Sequence, residues 1–504
     1  MCTEEVGAPK GTRTPVTDVR GRCPRPLDDG SVAKSFPVQN LGGAIIRAPL
    51  GRTSWAAVFF GERVEQVKRT QSAPVVIPRS EHNISRANIS EAALKVLYRL
   101  KKADYEAYLV GGGVRDLLLG REPKDFDVAT EATPDEVREL FRNCRLVGRR
   151  FRLAHVRFGN EIVEVATFRG HSEEGEGERV LEDGMLLRDN VYGSLEDDAW
   201  RRDFTVNALY YNVKDFSVID YTGGLTDLRQ ANLRLIGDPE QRFREDPVRL
   251  LRAVRFAAKL GFRLDAAIEQ CLFELGELLA NVPPARLFDE MLKLFHGGYA
   301  LQTYELLRHY GLFGHLFPQT EASLAQEEDG FPRTLLPHAL ANTDRRLSED
   351  KPVTPAFLIA ALLWEPVHKR ASELMAGGMT ELQALQEAAQ DVLQEQQSRI
   401  AMPRRFTLQA REIWLMQPRL VQRGGRRALR VVEQPRFRAG YDFLLLRAEA
   451  GEPLQELCDW WQSFYEAGEE ERAAMANTLA PTRKRRRRRK PRARRKASET
   501  ESGS

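Results

Sequence analysis

The sequence Gly111-Gly112-Gly113-Val114-Arg115-Asp116 is followed nine residues later by Asp125-Phe126-Asp127. The apolar residues Ala107 to Val110 predict a strand before the glycines, and Val114 to Leu119 predict a short helix after them. Glycine N–H groups at the start of a helix can approach a phosphate chain closely. Asp125 and Asp127 lie two apart on a second predicted strand, so both carboxylates point to one face, where cations would relieve their repulsion. This stretch predicts an α/β fold that holds a nucleoside triphosphate and metal ions.

The 504 residues are too many for one compact core, and the sequence patterns divide them into successive parts. The first part is rich in Pro, Gly, Arg and Thr and lacks periodicity, which predicts a poorly structured extension. Alternating strand and helix patterns come next, and almost purely helical patterns follow them. The predicted parts are an N-terminal extension (1–80), an α/β head (81–215), a helical neck (216–285), a helical body (286–466) and a disordered basic tail (467–504).

Local signals place several elements within the head and neck. Ser90 is an expected N-cap, and Thr133-Pro134-Asp135-Glu136 is a capping box with proline at the first helical position. Gly159-Asn160 separates two runs that read as the strands of a hairpin. Residues 170–190 are acidic and glycine-rich, which favours a mobile loop. Asp246-Pro247 predicts an N-cap followed by a helix.

The net charge of +4 hides a concentration of positive charge near the C-terminus. Between Arg483 and Lys496, 12 of 14 residues are Lys or Arg, so the rest of the chain is acidic. A block this dense repels itself and gains binding energy by releasing counterions from a phosphate backbone. A solubility tail and a localisation signal are the alternatives. We predict RNA contacts within this tail by Arg485, Arg486, Arg487, Arg488 and Arg489.

The five cysteines are scattered without paired spacing, which argues against a disulfide framework or a zinc site and indicates a reducing compartment. No apolar run approaches the roughly 20 residues that span a bilayer, and the N-terminus has no apolar signal region. We therefore expect a cytoplasmic protein without an integral membrane segment, acting as a monomer.

Five blocks in order resemble the class II tRNA nucleotidyltransferase and bacterial poly(A) polymerase family. This family belongs to the polymerase-β-like nucleotidyltransferases. The likeness extends over roughly residues 75–465, and it implies an α/β head followed by a mostly α-helical body. The blocks are Leu109–Asp116, Lys124–Asp127, Arg201–Leu209, Tyr221–Gly224 and Glu245–Ala253.

The resemblance also implies roles for individual residues. The catalytic carboxylates would be Asp125, Asp127 and Asp203, and the first two would bind two Mg²⁺ ions. The substrate ATP would be held at the triphosphate by the glycine turn and at the base by an acceptor carboxylate and a donor guanidinium, which can pair with a base edge as another base would. The implied nucleotide-binding residues are Gly111, Gly112, Arg115, Asp116, Arg202, Asn207, Asp246 and Arg249.

Two assignments have alternatives within the chain. Glu164, on the predicted strand Glu161 to Phe168, rivals Asp203 as the third carboxylate. Asp246 would serve as an N-cap whether or not it also contacts a base, with Arg249 on a solvated helix face.

The family includes two reactions, and the five blocks do not separate them. The segment Leu146 to Val156 resembles the poly(A) polymerase signature, and its cations Arg149, Arg150 and Arg152 suit an RNA backbone. A basic tail also suits a substrate defined only by its free 3′ end. We therefore predict template-independent addition of AMP to RNA 3′ ends, which promotes RNA turnover and could involve RNA-decay proteins. The alternatives are a CCA-adding tRNA nucleotidyltransferase and a non-catalytic RNA-binding protein.

Deleting Arg483 to Lys496 should weaken RNA binding and flatten its salt dependence, because fewer counterions are released. Each lost phosphate contact should reduce the slope of log affinity against log salt by about 0.7–0.9. Filter binding of one generic RNA at several salt concentrations measures this. An unchanged affinity and slope would show that the tail does not clamp RNA.

Overall fold

The computed structural model describes residues 73–148, 152–170, 179–182, 185–189, 191–325 and 334–479. Twelve strands lie within these ranges, numbered β1 to β12 in chain order. Their bounds are Val75–Ile77, Ala107–Val110, Asp127–Thr130, Cys144–Val147, Leu153–Phe158, Glu161–Thr167, Arg179–Glu182, Met185–Asp189, Leu209–Asn212, Val218–Asp220, Asn232–Leu233 and Arg263–Leu264.

The same ranges contain 21 α-helices, α1 to α21. Most of them follow the sheet in sequence, so the predicted order of an α/β head and then a helical body is confirmed. Their bounds are Glu91–Lys102, Gly112–Leu118, Pro134–Leu140, Leu195–Arg201, Gly224–Arg229, Pro239–Glu245, Val248–Leu260, Ala266–Glu274, Pro284–Phe295, Ala300–His309, Leu312–Leu316, Pro318–Leu324, Leu335–Ser348, Pro355–Leu362, Trp364–Ala376, Glu381–Arg399, Arg404–Val421, Arg426–Val432, Phe437–Glu449, Gln455–Glu466 and Glu469–Thr478. Short 3₁₀ helices cover Arg79–Glu81, Arg86–Asn88, Thr205–Asn207 and Gly276–Asn281.

One eight-stranded sheet forms the head, in the order β1-β10-β9-β2-β3-β6-β5-β4. Only β3 and β6 pair in parallel, and every other neighbouring pair is antiparallel. The central strand β2 is buried along its whole length because both faces of the sheet are covered. Helix α1 packs on one face through Val96, Leu97 and Leu100.

Several helix starts and turns form where the sequence predicts them. Ser90 accepts a hydrogen bond from the Ala93 N–H, and Thr133 forms a reciprocal capping box with Glu136. Such caps satisfy N–H groups that the helix itself leaves unpaired. The predicted hairpin turns at Gly159, whose φ of 61° favours glycine. These local signals therefore fix the ends of elements around the sheet.

An apolar cluster runs continuously from the head sheet through the neck helices into the body. The helices at the C-terminal end pack around a second cluster. One fully buried tryptophan in each cluster joins neighbouring helices. In the first cluster Trp414 Nε1 donates to the Ala360 carbonyl at 3.0 Å, and in the second Trp461 Nε1 donates to the Leu420 carbonyl at 2.8 Å. Each indole thus buries a large apolar area while its N–H is satisfied.

The structure differs from the sequence prediction at several boundaries. Strand β1 lies inside the predicted extension, and β10 lies beyond the predicted head, yet both belong to the head sheet. A three-residue edge strand carries too few residues to show a period in the sequence. Within the predicted mobile loop, β7 and β8 form an antiparallel hairpin. The predicted domain boundaries themselves stay predictions.

None of the helices in the described ranges combines the length and the apolar character that crossing a bilayer requires.

The Asp220 carboxylate supports the turn between β10 and α5, and its loss should destabilise the head. Its Oδ1 accepts the N–H groups of Thr222, Gly223 and Gly224 at 2.9–3.1 Å, and its Oδ2 accepts that of Leu225 at 2.8 Å. Removing the carboxylate leaves buried N–H groups without an acceptor, so Asp220→Ala should lower the free energy of unfolding by about 3 kcal/mol or more.

Urea unfolding midpoints measure the effect. Asp220→Asn should lose less, because the amide oxygen keeps the shared acceptor. Asp215→Ala, which removes two bonds to Ser217 in a more exposed turn, is the matched control and should cost about 1 kcal/mol. Equal losses for Asp220→Ala and Asp215→Ala would contradict the assigned role.

Candidate active site

The glycine turn joins β2 to α2 and faces the catalytic candidates. Gly111 is the N-cap of α2 with φ 75° and ψ −137°, a conformation that side chains disfavour. A Cβ placed on it would lie 3.6 Å from Asp127 Oδ2 and 3.7 Å from Arg202 Nη1. Glycine therefore serves both the backbone conformation and the open approach to Asp127. The N–H groups at the start of α2 suit a phosphate, although α2 is short.

Three carboxylates gather at this edge of the turn. Asp127 opens β3 and lies in register with Glu164 of the parallel strand β6, so both side chains project from the same face. Asp125 is exposed and precedes β3, so the prediction that both aspartates lie on one strand is wrong. Asp125 and Phe126 pack against Gly113, whose added Cβ would lie 3.4 Å from the Asp125 carbonyl oxygen and 3.4 Å from the Phe126 ring.

The pKa of Asp127 is raised to about 6, mainly by burial and also by the nearby Glu164 and Asp125 carboxylates, while Arg202 opposes the rise. His155 lies opposite Glu164 on the next strand, with its Nε2 3.4 Å from Glu164 Oε1. The structure thus brings Asp125, Asp127 and Glu164 together, and the negative charge there is only partly compensated. Such a site suits a bound cation.

Arg202 closes the other side of the turn. Its guanidinium donates to Asp198 Oδ2 at 2.8 and 3.1 Å and to the Tyr210 hydroxyl at 2.9 Å. Burial lowers the pKa of Arg202, but Asp198 and Tyr210 outweigh it and hold the pKa above its usual range. Tyr210 extends from β9, beside the same face of the sheet. Arg202 therefore presents a permanent, fixed cation near Asp127.

Asp203 has a different environment from the other two predicted catalytic carboxylates. Its Oδ1 accepts from the Phe204 N–H at 2.8 Å and from Asn207 Nδ2 at 3.2 Å. Its Oδ2 accepts from Arg252 Nε at 2.8 Å and from Arg252 Nη2. Burial raises the pKa of Asp203, but Arg252 and these hydrogen bonds hold it well below its usual range. Asp203 is thus a fully paired carboxylate.

The predicted nucleotide-binding residues Arg115, Asp116 and Asn207 form a buried network with Asp203. Arg115 Nη1 donates to Asn207 Oδ1 at 2.6 Å, and its Nε donates to Asp116 Oδ1 at 2.8 Å. Asp116 Oδ2 also lies 3.5 Å from Lys259 Nζ. Arg115 is 1% exposed, so these three residues position the turn rather than face solvent. Gly112 lies against this network, because its added Cβ would be 3.4 Å from Arg115 Nη2.

The predicted base-reading pair lies where α6 ends and α7 begins. Helix α7 starts at Val248 with Pro247 as its N-cap residue, so the prediction that Asp246 is the N-cap is wrong. The Asp246 carboxylate instead accepts both Nη groups of Arg286, at 2.9 and 2.8 Å. Asp246 therefore forms an ion pair with Arg286, which is distant in sequence, in place of a local N-cap hydrogen bond.

Arg249 is held by a second set of contacts. Its Nη1 donates to Glu245 Oε2 and to the Arg242 carbonyl, each at 2.7 Å. Arg242 also donates to Glu245 at 2.6 Å and to the carbonyls of Arg201 and Arg202 at 2.8 and 2.7 Å. Arg249, the predicted base-reading residue, is thereby linked through Arg242 to the backbone of Arg201 and Arg202.

Most of the predicted RNA contacts lie outside the described residues. This holds for Arg149 and Arg150, and for Arg485, Arg486, Arg487, Arg488 and Arg489. Arg152 is described, and its Nη1 lies 3.4 Å from Asp135 Oδ2.

Sequence reasoning missed the residues that hold the site together. Glu245, Arg252 and Arg286 are the partners of Arg249, Asp203 and Asp246 respectively. Glu245 and Arg252 fall inside one of the five blocks, but the partners of Arg252 and Arg286 could be found only from the fold. Glu245 and Arg249 are four apart, a spacing at which helical side chains can meet, and that was the one available signal.

The carboxylates satisfy the chemical demands of Mg²⁺. Among the side chains that the structure describes, no three His, Cys, Asp or Glu form a ready metal cage. Mg²⁺ commonly takes one or two carboxylates and keeps water or substrate phosphates as its other ligands. Asp125 and Asp127 offer hard oxygen atoms beside a phosphate-binding turn, so the residues fit the ion.

Three family models match the chain, and together they cover more than half of it. They are the poly A polymerase head domain over residues 107–234, the probable RNA and SrmB-binding site of polymerase A over 261–324, and the polymerase A arginine-rich C-terminus over 377–496. The fold and the site therefore define a nucleotidyltransferase, as predicted.

Sequence identity to individual proteins shows which family of nucleotidyltransferases the chain belongs to. Poly(A) polymerase I of Salmonella typhi is 52% identical over 421 residues, which cover 81% of this chain and 90% of that protein. The corresponding protein of Haemophilus influenzae is 47% identical over 82% of this chain and 92% of its own length. The chain belongs to the bacterial poly(A) polymerase family, and the predicted family is confirmed.

CCA-adding enzymes are more distant. The one from Bacillus pumilus is 37% identical over 244 residues, only 48% of this chain and 59% of that enzyme. A solved structure named as tRNA-processing enzyme complex 3 shares the fold, with a TM-score of 0.51 and 24% identity over 74% of this chain and 92% of that chain. The similarity to CCA-adding enzymes therefore does not extend across the whole sequence.

Replacing Asp127 with Asn should stabilise the metal-free protein at neutral pH. The folded state raises the pKa of this carboxyl from 3.8 to about 6, so folding binds a proton between these values and stability falls as pH rises through them. Above pH 6 the buried charge opposes folding, and Asp127→Asn should gain about 1–3 kcal/mol.

Urea unfolding in EDTA at several pH values measures this gain. It should be present at pH 7–8 and vanish near pH 4. Asp125→Asn changes an exposed carboxylate of the same type and serves as the control, with little expected change. A gain for Asp127→Asn that is independent of pH would contradict the electrostatic cause.

Proposed function

We propose that this chain adds AMP from ATP to RNA 3′-hydroxyls without a template, using Asp125 and Asp127 to hold two Mg²⁺ ions. The poly(A) polymerase relatives support the reaction. The observation that carries the site is the pKa of Asp127, raised to about 6 in a carboxylate group that lies against the glycine turn. An ionised carboxylate at this position destabilises the fold, and a cationic ligand is the best explanation for its presence.

When bound, the two Mg²⁺ ions would activate the attacking hydroxyl and neutralise charge on the departing pyrophosphate. The chain contributes positioning and fixed charge. Gly111 and the first N–H groups of α2 would cradle the triphosphate, and the Arg202 guanidinium lies where it would offset the phosphate charge. Asp246 and Arg249 would pair with the base edge.

Glu164 is favoured over Asp203 as the third carboxylate. Glu164 lies in register with Asp127 and contributes to its raised pKa. Asp203 has all its contacts within the protein, with Arg252, Asn207 and Phe204. A carboxylate with a lowered pKa and a bidentate arginine has little freedom to bind a metal, so we assign Asp203 a positioning role.

RNA would be bound by the arginine-rich part of the chain and by the part that matches the RNA and SrmB-binding model. Contacts with RNA-decay proteins, a monomeric state and action in the cytoplasm belong to the same proposal. The family model supports a protein partner at residues 261–324, because its description includes one.

Supplying each labelled nucleoside triphosphate singly, and CTP together with ATP, with Mg²⁺ and either generic RNA or truncated tRNA, tests the reaction. Long tails with ATP alone are expected. A defined addition of three nucleotides from CTP and ATP on tRNA would identify a CCA-adding enzyme, and no extension would leave an RNA-binding protein. Asp125→Ala and Asp127→Ala should abolish extension while RNA binding remains.

Substitutions of the two candidate carboxylates distinguish their roles. Glu164→Gln should raise the Mg²⁺ concentration for half-maximal extension several-fold, because a neutral amide is a weaker ligand. Asp203→Asn should leave that concentration near its original value but lower stability, since Arg252 loses its buried partner. The opposite pattern in a Mg²⁺ titration would restore Asp203 as the third carboxylate.

A further inference from the structure

The guanidinium of Arg202 is held along one edge, and its remaining nitrogen faces the glycine turn. Its Nε and Nη2 donate to Asp198 Oδ2 at 3.1 and 2.8 Å, and its Nε also donates to the Tyr210 hydroxyl at 2.9 Å. Its Nη1 forms no hydrogen bond or ion pair with any residue that the structure describes. That nitrogen lies 3.7 Å from the point that a Cβ on Gly111 would occupy. Arg202 therefore has one unpaired nitrogen beside the glycine turn.

The two partners of Arg202 come from different elements and are themselves joined. Asp198 lies on α4 and Tyr210 lies on β9, and they are 5% and 0% exposed. The Tyr210 hydroxyl donates to Asp198 Oδ2 at 2.7 Å while it accepts from Arg202. Burial holds the pKa of Tyr210 well above its usual range, opposed by Arg202 and supported by Asp198, so the hydroxyl keeps the proton that it donates. The three side chains thus form a closed triangle of hydrogen bonds.

Without this triangle, Arg202 would have a competing partner in Asp127. Asp127 Oδ2 lies 3.6 Å from the same Cβ point at Gly111, and Arg202 acts electrostatically on Asp127. A forked ion pair with a carboxylate uses two neighbouring guanidinium nitrogens. Asp198 already holds two of the three nitrogens of Arg202, so a forked pair with Asp127 would require these buried bonds to break. The triangle therefore leaves the Asp127 oxygens to a metal ion and Nη1 to an anion.

We propose that Asp198 and Tyr210 are positioning residues that hold Arg202 away from Asp127 and direct its Nη1 at the phosphate chain of the nucleotide. The inference rests on the proposed function, in which the glycine turn binds a triphosphate. A cation that is fixed before the ligand arrives needs no reorganisation when the phosphate binds. The Tyr210 hydroxyl contributes direction and no charge, so its loss should affect phosphate binding and leave contacts with the base unchanged.

Tyr210→Phe isolates the hydroxyl, because the ring that lies 5.3 Å from the Arg202 guanidinium carbon is kept. Equilibrium dialysis with labelled pyrophosphate and Mg²⁺, without RNA, measures phosphate binding directly. Tyr210→Phe should weaken pyrophosphate binding about three- to tenfold, and Asp198→Asn should weaken it about ten- to hundredfold, the ranges expected for neutral and charge-assisted hydrogen bonds. The KM for ATP should rise by similar factors. The affinity for adenosine, which has no phosphate, should stay unchanged.

Tyr211→Phe is the matched control, because Tyr211 is the next residue of β9, is also buried and projects from the opposite face of the sheet. It should bind pyrophosphate as the original protein does. Unchanged pyrophosphate binding in Tyr210→Phe overturns the inference, and so does an equal loss of pyrophosphate and adenosine binding, which indicates a general disturbance of the site. If one variant does not fold, the other carries the comparison. Failure of the unaltered chain to extend RNA with ATP would instead refute the proposed function, and the dialysis, which contains no RNA, keeps the two failures distinguishable.

Discussion

The Asp203 carboxylate joins the region around the glycine turn to the helix that carries the base-reading arginine. It accepts hydrogen bonds from Phe204, Asn207 and Arg252, and Asn207 accepts from Arg115. Arg115 lies on α2, and Arg252 lies one turn from Arg249 on α7. Removing any member would leave a buried charge or polar group unpaired, which costs more than the bond itself contributes. The glycine turn and the part of α7 that carries Arg249 are thus held in a fixed relation.

Asp127 and Asp203 have identical side chains, but the fold shifts the pKa values of their carboxyl groups in opposite directions. Burial acts on both carboxyl groups and raises the pKa of each. Arg252 reverses that effect at Asp203, whereas Glu164 and Asp125 reinforce it at Asp127. One aspartate therefore stabilises the fold at neutral pH, and the ionised form of the other opposes folding. This separation of environments is a common way to assign roles to paired acids.

The sequence predicts those features whose causes are local. Ser90, Thr133 and Gly159 act within a few residues of themselves, and each element boundary that depends on them was predicted correctly. Asp246 is instructive because the same local rule fails there. An N-cap bond would join the carboxylate to one neutral N–H, whereas Arg286 offers two bonds in which both partners are charged. Nothing near Asp246 in the sequence reveals a partner forty residues away.

The sequence predicts only part of the cluster formed by Asp125, Asp127 and Glu164, for a related reason. Asp125 and Asp127 are close in sequence, so their proximity could be inferred even though the strand starts later than expected. The nearness of Glu164 depends on the parallel register of β3 with β6. A shift of one residue in that register would move Glu164 to the opposite face, and no local pattern fixes such a pairing. The choice between Glu164 and Asp203 therefore needed the sheet itself.

Helix α7 has an excess of positive charge, whereas the cluster of Asp125, Asp127 and Glu164 has an excess of negative charge. Arg249, Arg252 and Lys259 have acidic partners, but Arg255 has a buried Nε without a hydrogen-bond partner among the described residues. The pKa of Arg255 is lowered to about 10, mainly by burial and also by the neighbouring Arg252. Excess positive charge thus lies on the helix beside the base-reading residue, while excess negative charge lies at Asp127. A magnesium–nucleotide complex carries both a cation and a polyanion, so one ligand would relieve both imbalances. Binding of such a ligand would recover the stability that the fold loses at these positions.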